Sequence, residues 1–214
     1  MKFKKATKKS EKAKRFFTSG PNIDVNYKEH EGIKLHVYTD GSARQNGFGG
    51  PGTWAYVIVE GDKLLHEKSS LEESTTNNRM EMSAVLAALT FIDQEDIRED
   101  ILIHMDSSYV YNGCTNWMYG WAAKNWKRGQ GLILNADLWS EIYALAAGLK
   151  NVKYKWVKGH AENKWNNHVD ALCTATYPDS ITSITPILPT GNHFPNHLLN
   201  NSPITKRIKT IRNK

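Results

Sequence analysis

"TTNNRMEMSAVLAAL", residues 75–89, is where the period of this chain changes. Upstream, apolar residues alternate one in two. Here Met82, Val85, Leu86 and Leu89 fall at i, i+3, i+4 and i+7, one face of a helix, with Asn77 or Asn78 able to cap it. Working back, residues 34–42 alternate and end in Gly-Ser, "GFGGPG" (47–52) is a turn, and "TWAYVIVE" (53–60) is a second strand. Gly61-Asp62 turns the chain into "KLLHEKS" (63–69), completing a hairpin. Working forward, "ILIHM" (101–105) is a short apolar run that stops at Asp106, and Ser107 or Ser108 can open a short helix. Leu138, Ile142, Leu145 and Leu149 repeat at helical spacing, with Gly148 near the stop. "VKYKWV" (152–157) alternates again, and "ENKWNNHVDALCTA" (162–175) reads as a helix with Trp165, Val169 and Leu172 on one side. The order β-β-β-α-β-α-α-β-α predicts an α/β domain: a mixed sheet with helices packed on its faces.

At 214 residues the chain suits one domain with tails. Residues 1–33 lack apolar periodicity and are expected to be a disordered basic tail. Residues 34–177 hold the periodic body. Residues 178–214 contain five prolines and are expected to form an irregular extension with a basic end. No apolar run reaches about 18 residues, so no membrane span is implied. The N-terminus "MKFKKATKKSEKAKRFF" lacks the apolar stretch of a secretory signal. Cys114 and Cys173 make neither a metal spacing nor a disulfide framework, so a reducing, cytoplasmic compartment is the expected address. A nuclear or organellar address in the lysine-rich N-terminus remains open, and a nucleic-acid tether explains those lysines equally well. The net charge of +6 is divided: residues 1–15 carry +7, residues 197–214 carry +5, and residues 16–196 carry −6. Basic tails on an acidic body suit a polyanionic partner, because each phosphate contact releases condensed counterions. They equally suit a solvated, solubilising tail.

Asp40 and Asp106 each end a predicted strand, Glu81 lies in the first turn of the first helix, and Asp170 lies inside the last. Each has an ordinary reading taken singly, as a turn former, a helix-dipole partner or a solvent-facing acid. If the first and fourth strands are neighbours, both aspartates reach the same side of the sheet, where sites in such folds lie. Four converging carboxylates cannot all stay ionised without cations, and oxygen-only donors suit Mg²⁺ or Mn²⁺.

"YTDGSARQNGFGGPGTWA", "TTNNRMEMSAVLAAL", "DSSYV" and "WVKGHAENKWNNHVDAL", in this order and spacing, resemble the type 1 ribonuclease H family over roughly residues 34–177. The resemblance implies the ribonuclease H-like fold, a five-stranded mixed sheet of a three-strand antiparallel meander plus two parallel strands, flanked by helices on both faces. It implies an endonuclease that hydrolyses the RNA strand of RNA·DNA hybrids and leaves 5′-phosphate and 3′-hydroxyl ends. It also implies that Asp40, Glu81, Asp106 and Asp170 hold two divalent ions, which at about 3.5–4 Å apart activate the attacking water and stabilise the leaving oxygen. His160 matches the family's mobile catalytic histidine. Asn46, Asn77 and Asn78 match positions that read the RNA strand, whose mark is the 2′-hydroxyl. Thr76 and Asn135 match a pocket for a DNA phosphate. Trp117 and Trp121, with Trp126, Lys124, Lys127 and Arg128, match a basic handle at about residues 117–131 that meets the DNA strand. At least one of the tryptophans is expected simply to pack the handle to the body. The implied partner is the hybrid duplex, with nucleic acid also on the basic tails, no membrane, and a monomeric protein.

The chain departs from the family in three places. "WAAKNW" has alanines where relatives carry lysines, Ser74 stands where an arginine is common, and "AENKWNN" after His160 lacks a loop glycine. Two rival readings stand beside the hybrid endonuclease: a non-catalytic hybrid-binding module, and a DNA-acting nuclease of the wider fold. All four carboxylates being present argues against the first, since a pure binder gains nothing from mutually repelling acids. The ordered motifs argue against the second.

Overall fold

The computed structural model describes residues 30–44, 49–159 and 161–178. Asn46, His160 and the two basic tails lie outside the described residues. The chain divides into two compact units, Met1–Glu31 and Gly32–Lys214. Of the first, only residues 30 and 31 are described.

The second unit is built on a sheet of five strands: β1 (Leu35–Ala43), β2 (Gly52–Glu60), β3 (Lys63–Glu72), β4 (Ile101–Met105) and, at the far edge, Val152–Trp156. Their spatial order puts β1 in the middle, with β2 and β3 on one side and β4 and the Val152–Trp156 strand on the other. The β1–β2 and β2–β3 pairs are antiparallel, and β4 is parallel to both its neighbours. The sheet is therefore the antiparallel meander plus two parallel strands expected from the sequence.

Strict alternation sends side chains to two cores. Val37, Tyr56, Ile58, Ile101, Ile103 and Met105 pack on one face with Val85, Leu89, Ile142 and Leu145 from helices α1 (Asn77–Gln94) and Ala136–Gly148. Tyr38, Ala55, Val57 and Val59 pack on the other with Val169 and Cys173 of the last helix, Lys164–Thr176. Period two in the strands and period 3.6 in the helices thus meet in two layers.

Between β4 and the Ala136–Gly148 helix the chain is less regular. It runs through α2 (Ser108–Asn112), a π-helical turn (Gly113–Trp117), α3 (Met118–Ala122), and a small hairpin of β5 (Lys127–Arg128) and β6 (Gly131–Leu132). The helices after it are α4 (Ala136–Gly148) and α5 (Lys164–Thr176), and the edge strand is β7 (Val152–Trp156). Two-residue strands carry no readable period, so the hairpin escaped the sequence. Gly129, at φ +66°, supplies its turn.

The expected cap of α1 needs correction. Neither Asn77 nor Asn78 caps α1. Thr76 has the extended backbone of a cap (φ −131°, ψ 159°), and its hydroxyl accepts from the Arg79 N–H. Asn77 is already helical and its Oδ1 instead accepts from the Ala43 N–H at 3.2 Å. Gly148 stands at the stop of α4 as expected: it is the last helical residue, and Leu149 closes the end.

Candidate active site

In the parallel β1–β4 pair Thr39 lies opposite Met105. Asp106 follows the end of β4, but Asp40 does not end its strand as expected: it stays in β1, opposite Ala55 of β2, and the antiparallel pairing carries β1 on to Ala43. Glu81 approaches from α1. It is the fifth helical residue, so it stands in the second turn rather than the first, and only 8% of it is exposed. One carboxylate oxygen each from Asp40, Glu81 and Asp106 lie within 4.8 Å of one another. Asp170, from α5, is close enough for its charge to act on Asp40.

This crowding is electrostatically costly. Burial, then the charges of Asp106 and Asp170, push the Asp40 carboxyl up to about 6, against partial relief from the Gly41 N–H and the Cys173 thiol. Burial, then Asp40 and Asp106, hold the Glu81 carboxyl well above the ordinary carboxylate range. Donors that are all oxygen, partly buried and mutually repelling fit a hard divalent cation, which would offset the repulsion.

Four further residues shape the cluster, and no sequence pattern marks their roles. A Cβ on Gly41 would lie 2.2 Å from the Glu81 nitrogen and 2.2 Å from the Met80 carbonyl carbon, so only glycine lets β1 and α1 approach this closely. The Gly41 N–H also favours the ionised forms of both Asp40 and Glu81. Asp-Gly reads as a turn signal, which hid this packing role. Cys173 is fully buried and its thiol donates to the Asp40 carbonyl at 3.3 Å. Trp156 donates its indole N–H to the Asp106 carbonyl at 2.9 Å, and a Cβ on Gly159 would lie 2.7 Å from Asp106 Oδ2. The strand end that leads to His160 is thereby fastened against Asp106.

A second group joins the N-termini of α1 and α4. Arg79 forks onto Asp137, Nη1 to Oδ1 at 3.1 Å and Nη2 to Oδ2 at 2.8 Å. Its backbone N–H donates to the Thr76 hydroxyl at 3.4 Å, and Nη1 also reaches Asn135 Oδ1 at 3.5 Å. Burial alone would raise the Asp137 carboxyl, but the hydrogen bond and charge of Arg79 bring it below its usual range. Thr76 and Asn135, 59 positions apart in the chain, are thus held together by one arginine, through its backbone N–H and its guanidinium respectively. Asn135 sits in the left-handed region (φ +56°), a conformation asparagine tolerates well.

In the handle, Trp121 stacks near the buried Trp139 (ring centres 5.5 Å) and Trp126 meets Tyr143 edge-on (5.7 Å). Both therefore serve packing. Trp117 is 41% exposed beside Trp121 (5.7 Å), and Lys124, Lys127 and Arg128 are exposed.

A family model described as RNase H matches residues 33–177. The chain is 41% identical over 140 residues to a ribonuclease H of Cyanothece sp., spanning 65% of this chain and 86% of that one. Among solved structures it is similar to LC9-RNase H1, a type 1 RNase H with the type 2 active-site motif, with TM-score 0.59 and 31% identity over 66% of this chain and 70% of that one. It also shares the fold of LC11-RNase H1 in complex with RNA/DNA hybrid, with TM-score 0.51 and 22% identity over 66% of this chain and 95% of that one.

Proposed function

Because the chain belongs to the ribonuclease H family, we propose that it hydrolyses the RNA strand of RNA·DNA hybrids at the carboxylate cluster, leaving 5′-phosphate and 3′-hydroxyl ends. The observation that carries this reading is the meeting of Asp40, Glu81 and Asp106 where β1 runs past the end of the parallel strand β4, one oxygen of each within 4.8 Å of the others. Asp40, Glu81, Asp106 and Asp170 would hold two divalent cations, Mg²⁺ or Mn²⁺. When bound, such ions supply the charge that activates water and stabilises the leaving oxygen of a phosphodiester.

The chain's own residues do the rest. With its carboxyl at about 6, Asp40 is mostly ionised at neutral pH, and the Gly41 N–H holds it so. His160 is the proposed proton shuttle, since an imidazole near pKa ~6.5 exchanges protons at neutral pH. Asn46, Asn77 and Asn78 are proposed to read the RNA strand. Asn77 is tied by its Oδ1 to the Ala43 N–H, which fixes its amide beside the end of β1. Thr76 and Asn135, joined through Arg79, are proposed to hold a DNA phosphate, with the hydroxyl and the amide as donors. Trp117 offers an exposed ring to the DNA strand, and Trp121 supports it from behind. The basic tails are proposed to add non-specific attraction to nucleic acid, and a cytoplasmic site of action fits the two free, buried cysteines.

The test is direct. The protein is incubated with Mg²⁺ and end-labelled RNA·DNA, DNA·DNA and RNA·RNA duplexes, with Asp106→Asn in parallel. Metal-dependent cutting of only the RNA strand of the hybrid, lost in Asp106→Asn, is expected. Cutting that persists in the variant overturns the site assignment.

A further inference from the structure

The last residue of the described body, bar one, is Tyr177, where the chain leaves α5 in an extended conformation (φ −69°, ψ 129°). It is buried, with 9% exposed. Its hydroxyl donates to the Ser42 carbonyl at 3.0 Å, lies 3.5 Å from the Pro51 carbonyl, and is 3.2 Å from Ser42 Oγ. Ser42 Oγ is in turn 3.3 Å from Thr53 Oγ1, which donates to the Cys173 carbonyl at 3.0 Å. Over the Tyr177 ring stands the Arg44 guanidinium, 4.1 Å from its centre, while the Arg44 N–H donates to the Pro51 carbonyl at 2.9 Å. One phenol therefore grips both arms of the β1–β2 connection, Ser42–Arg44 on one side and Pro51 on the other.

The helix geometry gives this grip a meaning. Asp170 and Cys173 stand at i and i+3 on one stripe of α5, and Tyr177 follows as its C-terminal cap. In that order Asp170 faces the carboxylates, Cys173 donates to the Asp40 carbonyl at 3.3 Å, and Tyr177 holds the connection that follows Asp40. The last helix and its cap thus link the carboxylates to the Ser42–Ala43 peptide, and through its N–H to Asn77.

We infer that Tyr177 is a positioning residue for recognition of the RNA strand, acting through the Ser42–Ala43 peptide, whose carbonyl takes the Tyr177 hydroxyl and whose N–H goes to Asn77 Oδ1. The inference rests on the RNA-strand reading of Asn77 given above. Tyr177→Phe keeps the ring under Arg44 and removes only the hydroxyl, so folding is preserved while the clamp is loosened.

The test measures binding by the full chain in an Asp106→Asn background, which blocks cleavage, with and without Tyr177→Phe. The ligands are an RNA·DNA hybrid and a DNA·DNA duplex of the same sequence. Loss of one neutral hydrogen bond is expected to weaken hybrid binding about fivefold and duplex binding by less than about twofold. In the active protein, the KM for hybrid should rise about fivefold while kcat changes by less than about twofold. Equal weakening on both duplexes means Tyr177 only supports the fold and overturns the inference, as does no weakening at all. If the Asp106→Asn protein itself shows no preference for the hybrid, the substrate reading fails first, and the inference falls with it.

Discussion

Asp40 shows how one residue couples catalysis to stability. Its carboxyl is raised from 3.8 to about 6 in the folded protein. The folded state therefore keeps this proton over a range where the unfolded chain has lost it. The sign follows: the contribution of Asp40 to stability is greatest below about pH 4, falls as pH rises toward about 6, and levels off above. The ceiling on that loss is about 3 kcal/mol. Asp40→Asn removes the repulsion without changing shape. The expected outcome at pH 7.5 is a higher melting temperature for the metal-free variant together with loss of hybrid cleavage. Mg²⁺ should raise the melting temperature of the wild type more than that of Asp40→Asn, because only an intact cluster gains from ion binding. A scanning calorimetry series at pH 4, 5, 6 and 7.5 checks the sign, and a variant that melts below the wild type at pH 7.5 would contradict it.

At the level of elements, the irregular segment between β4 and α4 depends on one close approach. Gly113 opens the π-helical turn, and a Cβ there would lie 1.8 Å from Cη2 of Trp139. Trp139 is fully buried and donates its indole N–H to the Tyr109 hydroxyl at 3.0 Å. The large ring occupies the space that glycine leaves, and so docks the handle onto α4. Gly113→Ala should lower stability by about 3 kcal/mol through overpacking, read as a shift in the urea midpoint. An unshifted midpoint would mean that the Trp139 ring has room to move. The Arg79–Asp137 fork plays the matching part between α1 and α4, with Asn135 on the same guanidinium and Thr76 on the Arg79 backbone N–H.

For the whole molecule, the governing quantity is the separation of charge. The tails carry +7 and +5, against −6 for residues 16–196. The handle contributes only Lys124, Lys127 and Arg128 near its exposed ring. Long-range attraction to a polyanion therefore falls to the tails. Deleting residues 1–15 should raise the KM for hybrid and flatten its dependence on salt, each lost phosphate contact reducing the slope of log K against log salt by about 0.9. Measuring KM between 50 and 200 mM KCl, roughly the range over which counterion release is large, decides the matter. An unchanged slope would show that the tail does not touch the substrate.

Local period determined the elements of this protein. The alternation before residue 75, the i, i+3, i+4, i+7 pattern from Met82, and the return to alternation at 152–157 define the strands and the long helices to within a few residues, because each pattern records which faces are buried. Chemistry at fixed spacing identified the acids, since Asp40, Glu81, Asp106 and Asp170 stand in ordered family motifs. What the tertiary structure decided were relations between residues distant in sequence, which no local pattern records. Gly41 earns its place only because α1 packs against it, and Thr76 displaces the two asparagines as cap only through its backbone angles. The fork of Arg79 joins two helix starts, and Tyr177 reaches back 135 positions to Ser42. The sequence specifies which surfaces must be buried, and the packing of those surfaces specifies which side chains then meet.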